Sequence, residues 1–243
     1  MIETRPASCM PDSCFCEAIR GDGIKQPANT WSSLAFVVVA AMVLVRWGRK
    51  PSTDRAAYPL LYAFTLVVVG LGSAYFHATL SFRGQFADVF GMYLVATFAL
   101  LHGIDRLRPL SGAALVSGYI ATNAVLAMLL YWVPVVRRVV FALLIVAVLI
   151  VEILIRRRDG PVSGTRHLAI AAAIMGVAFA VWILDFRRIL CRPESWIQGH
   201  AAWHVMGAVA AWYLLRYYGE AGRSEHFRRI QRPSNARWLD QQL

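Results

Sequence analysis

Seven long apolar runs, separated by short polar links, are the feature that most constrains how this chain can fold. Each run has about 17 to 23 residues, enough for a helix to cross the hydrocarbon core of a bilayer, which is about 30 Å thick. Of the 243 residues, 58% are hydrophobic and 16% are charged, against about 25% charged in a typical soluble domain. The predicted spans are Thr30–Trp47, Tyr58–Leu80, Asp88–Leu107, Gly112–Leu130, Val135–Ile155, Arg166–Leu184 and His200–Tyr218.

This pattern predicts an all-α integral membrane protein with seven transmembrane helices. In lipid only helices and closed barrels satisfy every backbone group, and these continuous runs lack the alternation of barrel strands. Because the links are short, we expect one transmembrane domain over residues 30–218. An N-terminal segment over 1–29 precedes it, and a basic tail over 219–243 follows it. The polar start lacks the apolar core of a cleavable signal peptide, so the first span is expected to direct insertion.

The distribution of arginine and lysine predicts the orientation. The N-terminal segment and the even-numbered links hold nine of the 25 basic residues, and the other side holds sixteen. The richer side is expected to be cytoplasmic, which places the N-terminus outside and the C-terminus inside. The net charge of +11 is dispersed among the links, as expected for contacts with lipid headgroups, so nucleic acid is not an expected partner. No obligate protein partner is evident.

Five polar residues are predicted to meet at the outer end of the bundle: Ser73, His77, Asp88, His200 and His204. The second span ends there, and the third and seventh begin there. Ser73 and His77 are four residues apart on one helix face, as are His200 and His204. Polar groups inside spans are costly and tend to mark function, although a single histidine at this depth is more often a polar anchor.

Three imidazoles at one depth indicate a zinc site. Catalytic zinc takes three protein ligands and keeps one position for water, and a His-x3-His pair is a common way to supply two of them. The residue after the first histidine of the pair is Ala201, where the familiar protease motif has a glutamate. Asp88 is therefore the candidate general base for the zinc-bound water.

The remaining polar residues carry weaker predictions. Asp185 ends the sixth span and is either a hydrogen-bond partner of a ligating histidine or a simple interfacial acid. Glu152 lies four residues before Arg156, which favours a pair within one helix. Asn123 is expected to form a hydrogen bond between helices. Four cysteines, all on the predicted outer side, are either disulfide-bonded or free thiols: Cys9, Cys14, Cys16 and Cys191.

Three stretches resemble the alkaline ceramidase family: "CEAIRGDGIKQPANTWSSLAFV", "GSAYFHATLSFRGQFADVFGMY" and "HAAWHVMGAVAAWYLL". That family belongs to a seven-helix hydrolase superfamily with the adiponectin-receptor-like and Per1-like proteins. The resemblance implies Zn²⁺ ligands at His77, His200 and His204. It implies that Asp88 holds and deprotonates the zinc-bound water, and that Ser73 donates to the oxyanion or to the water.

The implied reaction is hydrolysis of the ceramide amide at the extracytoplasmic leaflet, which yields a sphingoid base and a fatty acid. The alternatives are another acyl-lipid hydrolase, as in the Per1-like branch, and a receptor-like lipid-binding protein with a structural metal.

Two further implications of the resemblance concern the N-terminal segment. Glu17 matches a Ca²⁺ ligand of animal members, whereas the neighbouring matches Cys14, Phe15 and Gln26 are poor or weak calcium ligands. The resemblance therefore does not support a complete Ca²⁺ site. A disulfide between the N-terminal segment and the sixth link occurs in the family, which favours Cys16 with Cys191.

Overall fold

The computed structural model describes residues 5–10, 14–21, 23–47 and 57–231. The regular elements within these ranges are helices, which confirms the prediction of an all-α fold. They are α1 (Pro27–Ser33), α2 (Ala35–Trp47), α3 (Ala57–Thr79), α4 (Phe82–Leu107), α5 (Gly112–Trp132), α6 (Arg137–Asp159), α7 (Thr165–Phe186) and α8 (Gly199–Gln231), with a short 3-10 turn at Pro134–Val136.

Six segments of the described chain are long and apolar enough to cross a membrane. The first, Pro27–Arg46, combines α1 and α2, and the others correspond to α3 through α7. Many large apolar side chains of α5 and α6 are exposed, as expected of surfaces that face lipid. The seventh predicted span, His200–Tyr218, lies within α8, and its two histidines and Arg216 lower its mean hydropathy. A seventh crossing and the orientation of the termini therefore stay predictions.

Several helix boundaries differ from those expected. The third span begins at Phe82 because the Ser81 hydroxyl accepts a hydrogen bond from the backbone N–H of Gly84 (3.1 Å) and caps α4. Asp88 therefore lies in the second turn of α4, one turn deeper than predicted. At the other terminus, α8 continues past Tyr218, so the expected boundary between the transmembrane domain and the tail falls within a helix. Residues 48–56 of the first link and 232–243 of the tail lie outside the described residues.

Close packing of small residues brings α3 and α4 together. A Cβ atom at Gly72 would lie 2.7 Å from the backbone oxygen of Ala87 and 3.1 Å from the backbone nitrogen of Asp88. Only glycine permits this approach, which is typical of helix pairs in membranes. Since Gly72 precedes Ser73, the contact places Ser73 of α3 beside Asp88 of α4. Other contacts set α3 against α1 and α2, α4 against α5 and α6, and α8 against α1, α2 and α7.

One end of the bundle, which we call the histidine end, is where α3, α5 and α7 finish and α1, α4, α6 and α8 begin. Residues of the N-terminal segment are attached to it by backbone hydrogen bonds, such as Ala7 N–H to Leu80 O (2.9 Å) and Gln26 N–H to His77 O (3.0 Å). The Cys16–Cys191 disulfide adds a covalent tie from this segment to the link after α7, and Cys9–Cys14 closes a short loop within the segment. All four cysteines are therefore disulfide-bonded, and the alternative of free thiols does not apply.

At the opposite end, Glu152 pairs between helices, and the prediction of a Glu152–Arg156 pair is wrong. The Arg106 guanidinium donates to the Glu152 carboxylate at 3.0 Å, and both side chains are buried. The Tyr217 hydroxyl donates to the same carboxylate at 2.5 Å. Glu152 pairs with Arg106 and Tyr217 because a carboxylate that faces the interior needs several donors when water is excluded. Asn123 of α5 hydrogen-bonds Thr97 of α4 (2.9 Å), as predicted.

Candidate metal centre and its cavity

Three buried histidines converge at the histidine end of the bundle. His77 is in the last turn of α3, and His200 and His204 are in the first two turns of α8. One ring nitrogen of each lies within 4.8 Å of the others. Nε2 of His200 is 3.1 Å from Nε2 of His77. The arrangement brings together three neutral nitrogen donors, as a metal site requires.

Two of the imidazoles are oriented by hydrogen bonds from the opposite ring nitrogen. Nδ1 of His77 lies 2.9 Å from Oε1 of Gln26, and Nδ1 of His204 lies 2.9 Å from Oγ of Ser32. Because Oε1 of Gln26 can only accept, His77 donates through Nδ1 and its Nε2 keeps a free lone pair. Partners of this kind fix the tautomer of a metal-binding histidine and raise its basicity. Sequence reasoning missed both roles, although both residues lie in the polar stretch "QPANTWSS".

His200 is held by different contacts. Its ring stacks on Phe15 with centroids 3.6 Å apart, and its Nδ1 is buried with no hydrogen-bond partner among the described residues. The side chain is therefore positioned by an aromatic ring of the N-terminal segment. That segment is joined to α7 by the hydrogen bond from Cys16 N–H to Asp185, and to the following link by the Cys16–Cys191 disulfide.

The three histidines fit zinc. Two nitrogen atoms bound to one tetrahedral zinc at about 2.0–2.1 Å lie about 3.3 Å apart, close to the 3.1 Å between Nε2 of His77 and Nε2 of His200. Neutral imidazole is a preferred zinc ligand. Within the described part of the chain, the group of candidate ligands contains these three residues and no carboxylate.

Ser73 and Asp88 lie next to the histidines. Oγ of Ser73 is 3.2 Å from Nε2 of His204, and Ser73 and Asp88 line the same cavity. Asp88 and His204 line the same cavities. The structure thus brings the five polar residues singled out in the sequence into one site, with a hydroxyl and a carboxylate beside the imidazoles.

Asp185 acts on the backbone of a histidine rather than on its ring. Its carboxylate accepts hydrogen bonds from the backbone N–H groups of His200 and Cys16, both at 3.1 Å. A carboxylate at this position caps α8 and interacts favourably with the positive end of the helix dipole. A Cβ atom at Gly199 would lie 2.9 Å from Cβ of Asp185, so the cap requires glycine there. Neither sequence-based alternative for Asp185 described this role.

Glu17 has a comparable structural role at α1. Its two carboxylate oxygens accept from the backbone N–H groups of Ala28 (2.7 Å) and Asn29 (2.9 Å). Burial raises the pKa of the Glu17 carboxyl, and the two N–H donors oppose this rise. Both oxygens are therefore engaged in capping a helix. Asp12 and Asp22, the acids nearest to Glu17 in sequence, lie outside the described residues.

Two adjoining cavities open beside the histidines. One, of about 200 Å³, is lined by Asp88, His200 and His204 together with aromatic and basic side chains. The other, of about 140 Å³, extends between α2, α3, α4, α6, α7 and α8 and is lined mostly by aliphatic and aromatic residues. They share Asp88, Met92, Phe141, Trp203 and His204. The first cavity, which we call the chamber, carries charged groups and imidazoles on a mostly apolar wall, and the second is almost entirely apolar. Together they suit an amphipathic ligand.

A helical bundle with apolar spans, a buried trio of histidines and an adjoining apolar cavity defines a multi-pass membrane protein with a candidate metal centre. Residues 22–241 match the family model described as Ceramidase, and the chain belongs to the ceramidase family. It is 27% identical over 225 residues to "Alkaline ceramidase" of Drosophila melanogaster, a match that covers 87% of this chain and 76% of the relative. It is also 27% identical over 225 residues to "Putative alkaline ceramidase dcd3B" of Dictyostelium discoideum, with 78% of each chain covered.

Proposed function

We propose that this protein is a zinc-dependent amidohydrolase that cleaves the amide bond of ceramide or a related N-acyl sphingolipid. The observation that carries the proposal is the convergence of His77, His200 and His204 beside Ser73 and Asp88, where the chamber meets the apolar cavity. Membership of the ceramidase family supports the choice of an amide as the bond that is cleaved.

His77, His200 and His204 would hold the zinc through Nε2. A zinc ion bound by three histidines supplies a Lewis acid that activates water and polarises a carbonyl. The protein contributes the geometry, since Gln26, Ser32 and Phe15 fix the three rings before any ligand binds.

Asp88 and Ser73 have separate roles in this proposal. Asp88 accepts a proton from the attacking water and returns it to the amide nitrogen as the C–N bond breaks. Ser73 donates a hydrogen bond to the carbonyl oxygen as negative charge develops on it. Water adds to the acyl carbon, and the products are a fatty acid and a sphingoid base. Two observations support these roles: Oγ of Ser73 is 3.2 Å from Nε2 of His204, and Asp88 lines the same cavities as His204.

The proposed location of the site follows from charge and helix order. The histidine end carries fewer basic residues than the opposite end, so we place it at the extracytoplasmic leaflet. The disulfides at this end agree with an oxidising compartment. We also propose that α8 is the seventh span, because it packs against α1, α2 and α7, which belong to apolar segments.

The alternative of a receptor-like protein with a structural metal predicts a closed site with a fourth protein ligand. The described residues supply three ligands, which favours an open position for water and hence a hydrolase. Another acyl-lipid hydrolase would use the same groups, and the family match favours an amide substrate over an ester.

The proposal is tested with purified protein in neutral detergent. Metal content is measured by elemental analysis, and release of sphingoid base and fatty acid from ceramide is followed by mass spectrometry. One zinc per chain and equal release of the two products are expected. Zinc without hydrolysis of any N-acyl lipid would favour the structural-metal alternative, and cleavage of an acyl ester but not an amide would favour another lipid hydrolase.

A further inference from the structure

Two adjacent arginines line the chamber beside the histidines. Arg137 and Arg138 form the first turn of α6, and both half-buried side chains line the same 200 Å³ cavity as Asp88, His200 and His204. The proposed hydrolysis of a neutral amide uses neither guanidinium. The positive end of the α6 dipole adds to their charge at this place.

Each arginine is held by the protein in a way that leaves donors available. The Arg138 guanidinium lies over the rings of Phe186 (4.1 Å) and Trp182 (5.4 Å). Stacking uses the face of the guanidinium, so the N–H groups at its edge remain available for a ligand. Arg137 donates through one terminal nitrogen to the backbone oxygen of Pro134 (2.8 Å). Both groups are thus preorganised at the chamber wall.

The charge of the chamber is not balanced by the described residues. Asp88 is the one acidic residue among those that line it. The carboxylates of Glu17 and Asp185, at the same end of the bundle, are engaged by backbone N–H groups. Two half-buried guanidinium groups face one carboxylate, and a divalent cation at the histidines would add positive charge. An anionic group is the ligand that would offset the cost of holding them there.

We propose that Arg137 and Arg138 bind an oxyanion, such as a phosphate, carried by the substrate lipid next to its amide, and thereby select anionic N-acyl sphingolipids over neutral ceramide. Arginine binds phosphate through parallel N–H donors. In an N-acyl sphingoid lipid, the primary hydroxyl is on the carbon next to the one that bears the amide nitrogen. A phosphate there would occupy the basic side of the chamber while the amide faces the histidines and Asp88. This inference rests on the proposed function and specifies its substrate class.

The first test compares ceramide with ceramide phosphorylated on its primary hydroxyl, in neutral detergent. The wild-type protein should cleave the phosphorylated lipid with the higher kcat/KM. Arg138→Gln should lower the ratio of kcat/KM for phosphorylated ceramide to kcat/KM for ceramide about 10- to 100-fold, as expected for the loss of a charged hydrogen-bonding group. The matched control is Arg187→Gln, an exposed arginine at the same end that does not line the cavity; it should leave the ratio unchanged. A wild-type preference for neutral ceramide, or an unchanged ratio in Arg138→Gln, would overturn the proposal.

The second test does not depend on catalysis, so it separates failure of this inference from failure of the proposed function. Dodecyl phosphate should bind the purified protein more tightly than dodecanol, and Arg138→Gln should remove most of the difference. Equal binding of the two probes overturns the inference even if ceramide is cleaved.

A third measurement identifies the source of the phosphate. Hydrolysis of neutral ceramide is compared in phosphatidylcholine vesicles with and without phosphatidylglycerol. If phosphatidylglycerol stimulates ceramide hydrolysis and Arg138→Gln abolishes the stimulation, the arginines bind a bilayer lipid. That result would overturn their assignment to the substrate.

Discussion

Oε1 of Gln26 lies 2.9 Å from Nδ1 of His77, so an amide just before α1 sets the orientation of an imidazole at the end of α3. The amide nitrogen of the same side chain donates to the backbone oxygen of Glu17 (3.1 Å), and the Glu17 carboxylate caps α1. The N-terminal segment is therefore part of the candidate metal centre, because it supplies the contact that fixes one ligand.

Gln26→Met is expected to lower zinc affinity about 10- to 100-fold, the usual cost of losing a hydrogen-bond partner of a ligating histidine. Gln26→Glu keeps an acceptor for Nδ1 of His77 and should restore much of the affinity. Competition with a chelator of known affinity measures both. The control is Gln198→Met, since Gln198 is also buried but its amide donates to the backbone oxygens of Arg192, Pro193 and Ser195. A loss of equal size in Gln198→Met would mean that the effect is one of general stability.

His204→Ala should lose most of the bound zinc, because two imidazoles alone make a poor zinc site. Elemental analysis of the purified variant measures the loss. The matched variant is His167→Ala, at the opposite end of the bundle, where His167 pairs with Glu220 at 3.1 Å. It should retain the metal. Full zinc occupancy in His204→Ala would show that the ligands have been wrongly assigned.

Asp88→Asn is expected to retain most of the zinc and to lose activity by about two to four orders of magnitude, the range for removing a general base. Asparagine has the shape of aspartate and can hold a water molecule, but it cannot take its proton. Zinc content and ceramide hydrolysis are measured on the same preparation. Loss of the metal together with activity would make Asp88 a ligand, and retention of both would place the base elsewhere.

Two variants serve as comparisons for Asp88→Asn. Ser73→Ala should cost less, about 10- to 1,000-fold in rate, because it removes one hydrogen bond to the developing oxyanion. Asp105→Asn changes an acid at the opposite end of the bundle, whose carboxylate accepts from the backbone N–H of Leu110 (3.0 Å), and should leave turnover near that of the parent.

Removing the Cys16–Cys191 disulfide should destabilise the protein more than removing Cys9–Cys14. The first joins residues 175 positions apart and the second residues 5 apart. In the chain-entropy account, a bond that closes a longer loop restricts the unfolded chain more, and about 2–4 kcal/mol is typical. Paired serine variants are compared by thermal unfolding in detergent. An equal change in Tm for the two pairs would contradict the expectation.

A reporter fused after Leu243 should report the cytoplasm, and one fused before Met1 should report the opposite side. The excess of sixteen basic residues over nine motivates this expectation. The pair of fusions also tests whether α8 crosses the membrane, because an odd number of spans puts the termini on opposite sides. Both reporters on one side would leave six crossings, and a reversed result would move the site to the cytoplasmic leaflet.

The sequence alone was sufficient to predict a helical membrane protein, because an apolar run of membrane length leaves its backbone few alternatives to a helix. It also indicated which polar residues meet. His200 and His204 share a face through four-residue spacing, and the alternating direction of successive spans brings His77 and Asp88 to the same end. These features depend on local periodicity and on chain order, and both can be obtained from the sequence.

The tertiary structure decided which atoms act on the histidines and which charges are paired. Gln26 and Ser32 hold ring nitrogens, Asp185 caps α8 at His200, and Glu152 turns to Arg106 of another helix instead of Arg156 on its own. Each contact depends on the rotation of a helix about its axis and on how closely its neighbour approaches. Side-chain packing between distant segments sets both quantities, and spacing along one segment does not encode them.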